Sequence, residues 1–323
     1  MIGRVAWITD PGRKRRRNED AYVCEPPLFA IADGMGGAQA GEVASRLAAA
    51  ALKESGASTG GEQRIVDLIQ EANRRVYDRS STDPNTSGMG TTMTVALAED
   101  GQVAFGHVGD SRAYLIRDGT MEQVTEDHSL VNELLKSGKL SPEEAETHPQ
   151  RSVITRALGT DPDVDVDTFT IAAETGDLFL LCSDGLTDMV EEEAILEVVE
   201  RNRSDIDAAL KALVKAANRG GGEDNITVVA FEITDAAVHD GQTQEQALPA
   251  ELGRKIEDEE TLDETDAVPA VTTMVLSPEE IQERVAVEER ARRRHRRRRL
   301  LAWLVLLLFA AAVAALLAWR FLA

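Results

Sequence analysis

Apolar positions along this chain follow two rhythms. Residues 5–9, 21–24 and 28–32 form short apolar runs closed by turn residues, the signature of strands. GEVASRLAAAALKES and EQRIVDLIQEANRRVYDRS instead repeat their apolar residues every three or four positions, which predicts two amphipathic helices. Strands return in TTMTVALAE, QVAFGHVG, RAYLIRDG and MEQVT, with Asp100-Gly101 and Asp118-Gly119 as hairpin turns. A helix is expected around LVNELLKSGKL, and SPEEAE is a serine–proline helix start. Strands at residues 164–171 and 178–182, helices in EEEAILEVVERN and DIDAALKALVKAANR, and a last strand ITVVAFEI follow. Sequential hairpins interrupted by helix pairs predict an α+β fold for residues 1–235: an antiparallel β-sandwich flanked by helices on both faces, in four αββα layers. Strict β–α–β alternation is missing, so a doubly wound sheet fits less well.

The pattern changes after residue 235. Residues 236–276 lose apolar periodicity and gather acidic residues, as in KIEDEETLDETDAVP, which predicts a disordered, self-repelling linker. SPEEIQERVAVEERARRR then restarts order with Ser277 as cap, Pro278 at the first helical position and Glu280 at the third. Residues 277–299 are therefore expected to form a juxtamembrane helix running into a block of eight arginines between Arg290 and Arg299. LLAWLVLLLFAAAVAALLAW, residues 300–319, carries no charge and has Trp303 and Trp319 near its ends. Twenty residues rising about 1.5 Å each match the thickness of a bilayer core, so a transmembrane helix is expected. The arginines flush against it predict a single-pass cell-membrane protein with residues 1–299 in the cytoplasm.

Composition narrows the chemistry. A formal net charge of −22 argues against a nucleic-acid binder, and 43% apolar residues suffice for a sizeable core. Cys24 and Cys182 have neither the number nor the spacing of a disulfide framework or a zinc site, and both are expected as buried side chains. MIGRVAWITDPGRKRRR has no apolar h-region, so no secretory signal is expected.

The acidic residues that carry information stand at strand ends. LFAIADGMGG and LFLLCSDG each drive an apolar strand into an aspartate, Asp33 and Asp184, followed by glycine and a turn. The two hairpin Asp-Gly pairs lie between strands and are explained by turn geometry; these two are not, although a helix cap or a simple turn would also fit them. RRRNEDAY, HVGDSRAY and GGGEDNITVV add Glu19, Asp20, Asp110 and Asp224 at comparable junctions. If the strands pack together these residues form a carboxylate cluster, and such a cluster stays ionised in a partly dry site only with cations. Hard divalent ions with oxygen ligands, Mg²⁺ or Mn²⁺, are its natural partners.

RKRRRNEDA, FAIADGMGG, GTTMTVAL, HVGDSRAYLIRDG, LCSDGLTD and GGEDNITVV, in that order across residues 1–235, resemble the metal-dependent serine/threonine protein phosphatases of the type 2C, or PPM, family. The resemblance implies that Asp33 bridges two metal ions, that the Gly34 carbonyl binds one of them, and that Asp184 and Asp224 complete that ion's shell. It implies that Glu19 and Asp20 hold metal-bound waters on the other side, and that Asp110, Asp184 and Asp188 hold a weaker third ion. Arg15, five residues before Asp20, matches the family's phosphate-binding arginine, whose planar fork suits phosphoryl oxygens. Hydrolysis of phosphoserine and phosphothreonine on proteins by a metal-activated water follows. Residues 127–159 match the family's flap, where Ser129 and Arg156 are candidate substrate contacts. Met35 stands where many eukaryotic relatives have a histidine, which leaves the leaving-group acid open; His128 and His148 are the nearest histidines in sequence. Phosphorylated proteins, including membrane Ser/Thr kinases and their targets, and the lipid bilayer are the expected partners. Two other readings are a narrow regulatory phosphatase of one partner, of the anti-sigma-antagonist type, and an inactive phosphoprotein-binding scaffold.

Overall fold

Alternating apolar strands place their inward side chains in one layer between two sheets. The computed structural model describes residues 2–36, 40–54, 60–146 and 148–234, together with a two-residue strand at Met274–Val275. In chain order the elements are β1 (Ile2–Asp10), β2 (Asp20–Glu25), β3 (Leu28–Met35), α1 (Ala40–Glu54), α2 (Gly61–Thr82), β4 (Gly90–Thr91), β5 (Met93–Glu99), β6 (Gln102–Val108), β7 (Arg112–Arg117), β8 (Thr120–Gln123), α3 (Leu130–Lys136), α4 (Pro142–Glu146), β9 (Val153–Ile154), β10 (Asp167–Ala172), β11 (Leu178–Cys182), α5 (Asp184–Thr187), α6 (Glu192–Arg201), α7 (Ile206–Gly220), β12 (Ile226–Ile233) and β13 (Met274–Val275).

One sheet runs β1-β12-β11-β7-β8 and the other β10-β6-β5-β3-β2, with β4 paired to β3. Every pairing within these sheets is antiparallel. The inner faces meet in an aromatic layer: Phe29 stacks on Phe231 with ring centroids 4.0 Å apart, and Phe179 lies 5.2 Å from Phe231 and 5.7 Å from Phe105. Phe29 and Phe105 come from one sheet, Phe179 and Phe231 from the other, so the Phe29–Phe231 and Phe105–Phe179 contacts join the layers. On the outer face of the second sheet, Val23, Ala30, Val95 and Ala104 pack with Ala44, Ala48, Ile65 and Ile69 of α1 and α2. On the other side, Tyr114, Leu180, Val228 and Ala230 pack with Ile195, Leu210 and Leu213 of α6 and α7. The helices thus cover both faces, as the pattern predicts.

The structure departs from the sequence reading in detail. The strand expected at residues 164–171 begins at Asp167 and reaches Ala172, because its pairing register with β6 starts at Asp167↔His107. Cys182 is buried as expected, but Cys24 is only half-buried, on the edge strand β2. Met274–Val275, placed by composition in the unstructured linker, pairs in parallel with Val153–Ile154 of β9. The rest of the linker, the juxtamembrane helix and the apolar segment 300–319 lie outside the described residues. Among the described residues, no helix is long and apolar enough to cross a membrane.

Candidate active site

Antiparallel register brings the acidic strand ends together. Asp20, which opens β2, lies directly opposite Asp33 near the end of β3. In the other sheet Cys182 ends β11 opposite Arg112 at the start of β7 and Val228 near the start of β12. Asp184, Asp110 and Asp224 therefore leave their strands at the same end of that sheet. Two carboxylates directly across a strand pair repel and weaken it, so the Asp20–Asp33 pairing is a feature the fold alone does not favour.

Hydrogen bonds hold several of these acidic residues, Asp20 and Asp224 through their side chains and Asp33, Glu19 and Asp188 through their backbone. The Asp33 backbone N–H donates to Thr92 Oγ1 at 2.9 Å, and its carbonyl accepts the Thr92 N–H and the Thr91 hydroxyl at 2.9 and 2.8 Å. Asp20 Oδ2 accepts the hydroxyls of Ser183 at 2.9 Å and Thr227 at 2.6 Å, which ties β2 across to the facing sheet. The Glu19 N–H donates to Asn225 Oδ1 at 2.7 Å. Asp224 Oδ1 accepts the N–H of Asn225 at 2.8 Å, while Oδ2 receives Arg15 Nη2 at 2.7 Å. Asp188 ends the single turn α5, its N–H donating to the Asp184 carbonyl at 2.8 Å.

Burial raises these carboxyls. Asp20 is pushed up to about 7 by desolvation, with Asp224 and Glu19 adding repulsion against the two hydroxyl bonds. Asp110 is also pushed to about 7, by burial and then by Asp127 and Asp188. Asp33 and Asp184 lie well above the usual carboxylate range, through burial and the neighbouring aspartates. Glu19 and Asp188 are raised too, burial being the largest cause for both. Asp20 Oδ1 and Asp184 Oδ1 are buried oxygens that accept no hydrogen bond. Among the described residues, no group of three or more His, Cys, Asp or Glu side chains stands close enough together to hold a metal ion as the side chains lie. Arg15 holds one of the carboxylates, Asp224. Several buried carboxylates, two orphaned oxygens and no thiol or imidazole among them suit hard divalent cations.

The two strand-end glycines serve the backbone. A Cβ on Gly34 would overlap the Gly41 carbonyl of α1 and lie 2.5 Å from the Glu19 carbonyl oxygen; one on Gly185 would overlap the Asn225 carbonyl. Close approach of main chain to main chain is thus sufficient to require glycine at position 34.

Near the site lies a cleft lined by Arg151, Ser152, Asp184, Asp188, Glu223 and Asp224, with Arg151 Nη2 3.5 Å from Asp188 Oδ2. The two flap residues singled out in the sequence are placed elsewhere. Ser129 is buried and caps α3, accepting the Asn132 N–H at 3.3 Å. Arg156 pairs with Asp167 at 2.5 Å. Met35 is buried against Ile154 and Ala157 beneath the flap, where it acts as packing. His128 is buried as well: burial and then Arg156 hold its pKa down, and Nδ1 accepts the Gly109 N–H at 3.0 Å. His148 Nδ1 accepts the Gln150 N–H at 3.2 Å. Neither histidine lines the cleft.

The sequence reading did not single out Thr92, Ser183, Asn225, Thr227 and Arg151. All but Arg151 lie within or directly against the six quoted phrases, but their roles as supports depend on contacts between sheets.

The sequence profile of the family described as Protein phosphatase 2C matches residues 13–215, a stretch that contains every acidic residue of this site except Asp224. The chain belongs to the protein phosphatase 2C family. It is 42% identical over 236 residues to the serine/threonine phosphatase stp of Listeria innocua, an alignment covering 69% of this chain and 93% of that protein. It is 40% identical over 247 residues to the serine/threonine protein phosphatase PstP of Mycobacterium tuberculosis, covering 76% of this chain and 47% of that one. The crystal structure of the M. tuberculosis PstP/Ppp phosphatase superposes with a TM-score of 0.69 at 39% identity, over 73% of this chain and all of that one. A PstP catalytic-domain structure in complex with two manganese ions gives 0.67 at 38% identity, over 72% and 99%. Like its relatives, this protein phosphatase 2C member is a metal-dependent protein serine/threonine phosphatase.

Proposed function

We propose that this phosphatase holds its divalent cations with Asp33, the Gly34 carbonyl, Asp184 and Asp224, with Glu19 and Asp20 acting through water and Asp110 and Asp188 at an outer position. The observation that carries the reading is the pair of buried, unsatisfied oxygens, Asp20 Oδ1 and Asp184 Oδ1, within one group of raised carboxyls. When bound, Mn²⁺ or Mg²⁺ supplies a water acidic enough to attack phosphorus at neutral pH and neutralises the phosphoryl oxygens. Arg15 receives the phosphoryl group: its guanidinium already stands 2.7 Å from Asp224 and is half-buried, so little ordering is left to do. Ser183 and Thr227 hold Asp20 in one orientation, and Thr92 does the same for the Asp33 backbone. Arg151 and Ser152 face residues flanking the phosphorylated side chain. No covalent phosphoenzyme is involved.

Hydrolysis of a phosphothreonine peptide with Mn²⁺ or with EDTA, alongside Asp33→Asn, tests this assignment. Turnover is expected only with Mn²⁺ and is lost in the variant; an active Asp33→Asn protein would remove Asp33 from the site.

The substrates in this reading include transmembrane Ser/Thr kinases and their cytoplasmic targets. Residues 300–319 anchor the chain in the cell membrane, the arginine block keeps the catalytic domain on the cytoplasmic side, and, because Met274–Val275 returns to pair with β9, only residues 276–299 separate the domain from the membrane and hold it near membrane-bound phosphoproteins.

A further inference from the structure

Gly109, the residue before Asp110, has both main-chain polar groups bonded to a single residue. Its N–H donates to His128 Nδ1 at 3.0 Å, and its carbonyl accepts the His128 N–H at 2.7 Å. Gly109 sits at φ +114° and packs closely against Thr92, whose Cβ and Cγ2 would lie 2.6 Å from a Cβ at this position. On the far side of Asp110, the Ser111 carbonyl accepts the Thr94 hydroxyl at 3.0 Å. Asp110 is therefore held through both neighbours.

His128 is itself fixed. Nδ1 accepts the Gly109 N–H, so a neutral ring carries its proton on Nε2, which lies 3.1 Å from Asp167 Oδ2 and 3.0 Å from Arg156 Nη1 and can donate only to the carboxylate; Asp167 Oδ1 in turn holds Arg156 Nη1. The His128 carbonyl accepts the Thr155 N–H at 2.8 Å. One residue thus joins the Asp110 loop, both roots of the flap and the edge strand β10. None of the proposed chemistry uses it.

We propose that His128 is a positioning residue: through its two bonds to Gly109 it sets Asp110 for cation binding and ties that loop to the flap. The inference rests on Asp110 being a cation ligand.

Mn²⁺ titration of the metal-stripped full chain by calorimetry counts ions and affinities independently of turnover, and peptide hydrolysis at varied Mn²⁺ runs beside it. His128→Leu keeps bulk and removes the acceptor. It is expected to weaken the Asp110-dependent ion by about 10- to 100-fold, the usual effect of removing a group that orients a metal ligand. The Mn²⁺ needed for half-maximal turnover should rise by a similar factor, with a smaller change in kcat at saturating Mn²⁺. His128→Asn places its Oδ1 where Nδ1 stands and should recover most of the affinity, although it loses Asp167. On an Asp110→Asn background, His128→Leu should add nothing. A folded His128→Leu protein that binds Mn²⁺ like its parent overturns the proposal, and so does an additive effect on Asp110→Asn. Should His128→Leu fail to fold, His128→Gln decides. It reaches toward Asp167 but leaves the Gly109 N–H without an acceptor, so it must bind Mn²⁺ more weakly than His128→Asn; equal affinities overturn the proposal. Failure of the underlying site reading shows separately, as unaltered protein that binds no Mn²⁺.

Discussion

Two oxygens, Asp20 Oδ1 and Asp184 Oδ1, accept no hydrogen bond although both are buried. Such groups cost stability unless a ligand meets them, and that cost carries a pH signature. Between about pH 4 and 7 the unfolded chain releases the Asp20 and Asp110 protons while the folded chain keeps them. The folded state then binds more protons than the unfolded state, so stability of the metal-stripped protein falls as pH rises through this window. Mn²⁺ should reverse the trend and release protons on binding. At a hundredfold excess over Kd each site adds about 2.7 kcal/mol, or about 5–10 °C at about 2–4 °C per kcal/mol. Thermal melts at pH 5 and 8, with and without Mn²⁺, should show the metal effect larger at pH 8. Arg15 makes a second test at this scale. Its fork can hold two oxygens and a lysine cannot. Arg15→Lys should cut kcat/KM by about 10- to 100-fold, the loss of a charged hydrogen bond worth about 1.5–3 kcal/mol, with Mn²⁺ affinity less affected.

Among the described α-helices, α5 is the shortest and bears two site residues, Asp184 at its start and Asp188 as its cap. It is seated by Gly185 against the Asn225 carbonyl. Gly185→Ala should push the turn off β12 and misplace both carboxylates. Displacements near 1 Å can cost about 100-fold in rate, so kcat/KM should drop at least that far while the cooperative melt survives, as steady-state kinetics and circular dichroism would show. The element types were readable because the patterns differ: short continuous apolar runs for β3 and β11, a repeat near 3.6 for α2 and α7. The start of β10 was not, because pairing with β6 rather than its own composition fixes Asp167 as its first residue. Nor was β13, whose two residues owe their strand form to Val153–Ile154.

At the scale of the whole molecule, the stacked sheets gather the carboxylates at one end, and the membrane tether proposed for residues 300–319 carries its own prediction. Deleting residues 300–323 should leave turnover of a soluble phosphopeptide unchanged and slow the dephosphorylation of a membrane kinase in cells. Equal rates in cells, followed by phosphosite mass spectrometry, would sink the tether.

By itself the sequence determined the α+β class, the acidic strand ends and the family resemblance, because periodicity and turn residues are local properties and the six phrases keep their order. The tertiary structure decided what each polar residue does. Ser129 and Arg156 stand in the flap sequence as plausible substrate contacts, yet one caps α3 and the other pairs with Asp167 on a strand eleven residues further along. His128, known from the sequence only as one of the nearest histidines, is a buried acceptor for Gly109, nineteen positions away. Asp20 is held by Ser183 and Thr227 from the facing sheet, more than 160 residues distant. A hydrogen bond between such partners exists only once the sheets have stacked, and no pattern within one strand can encode which hydroxyl will face which carboxylate.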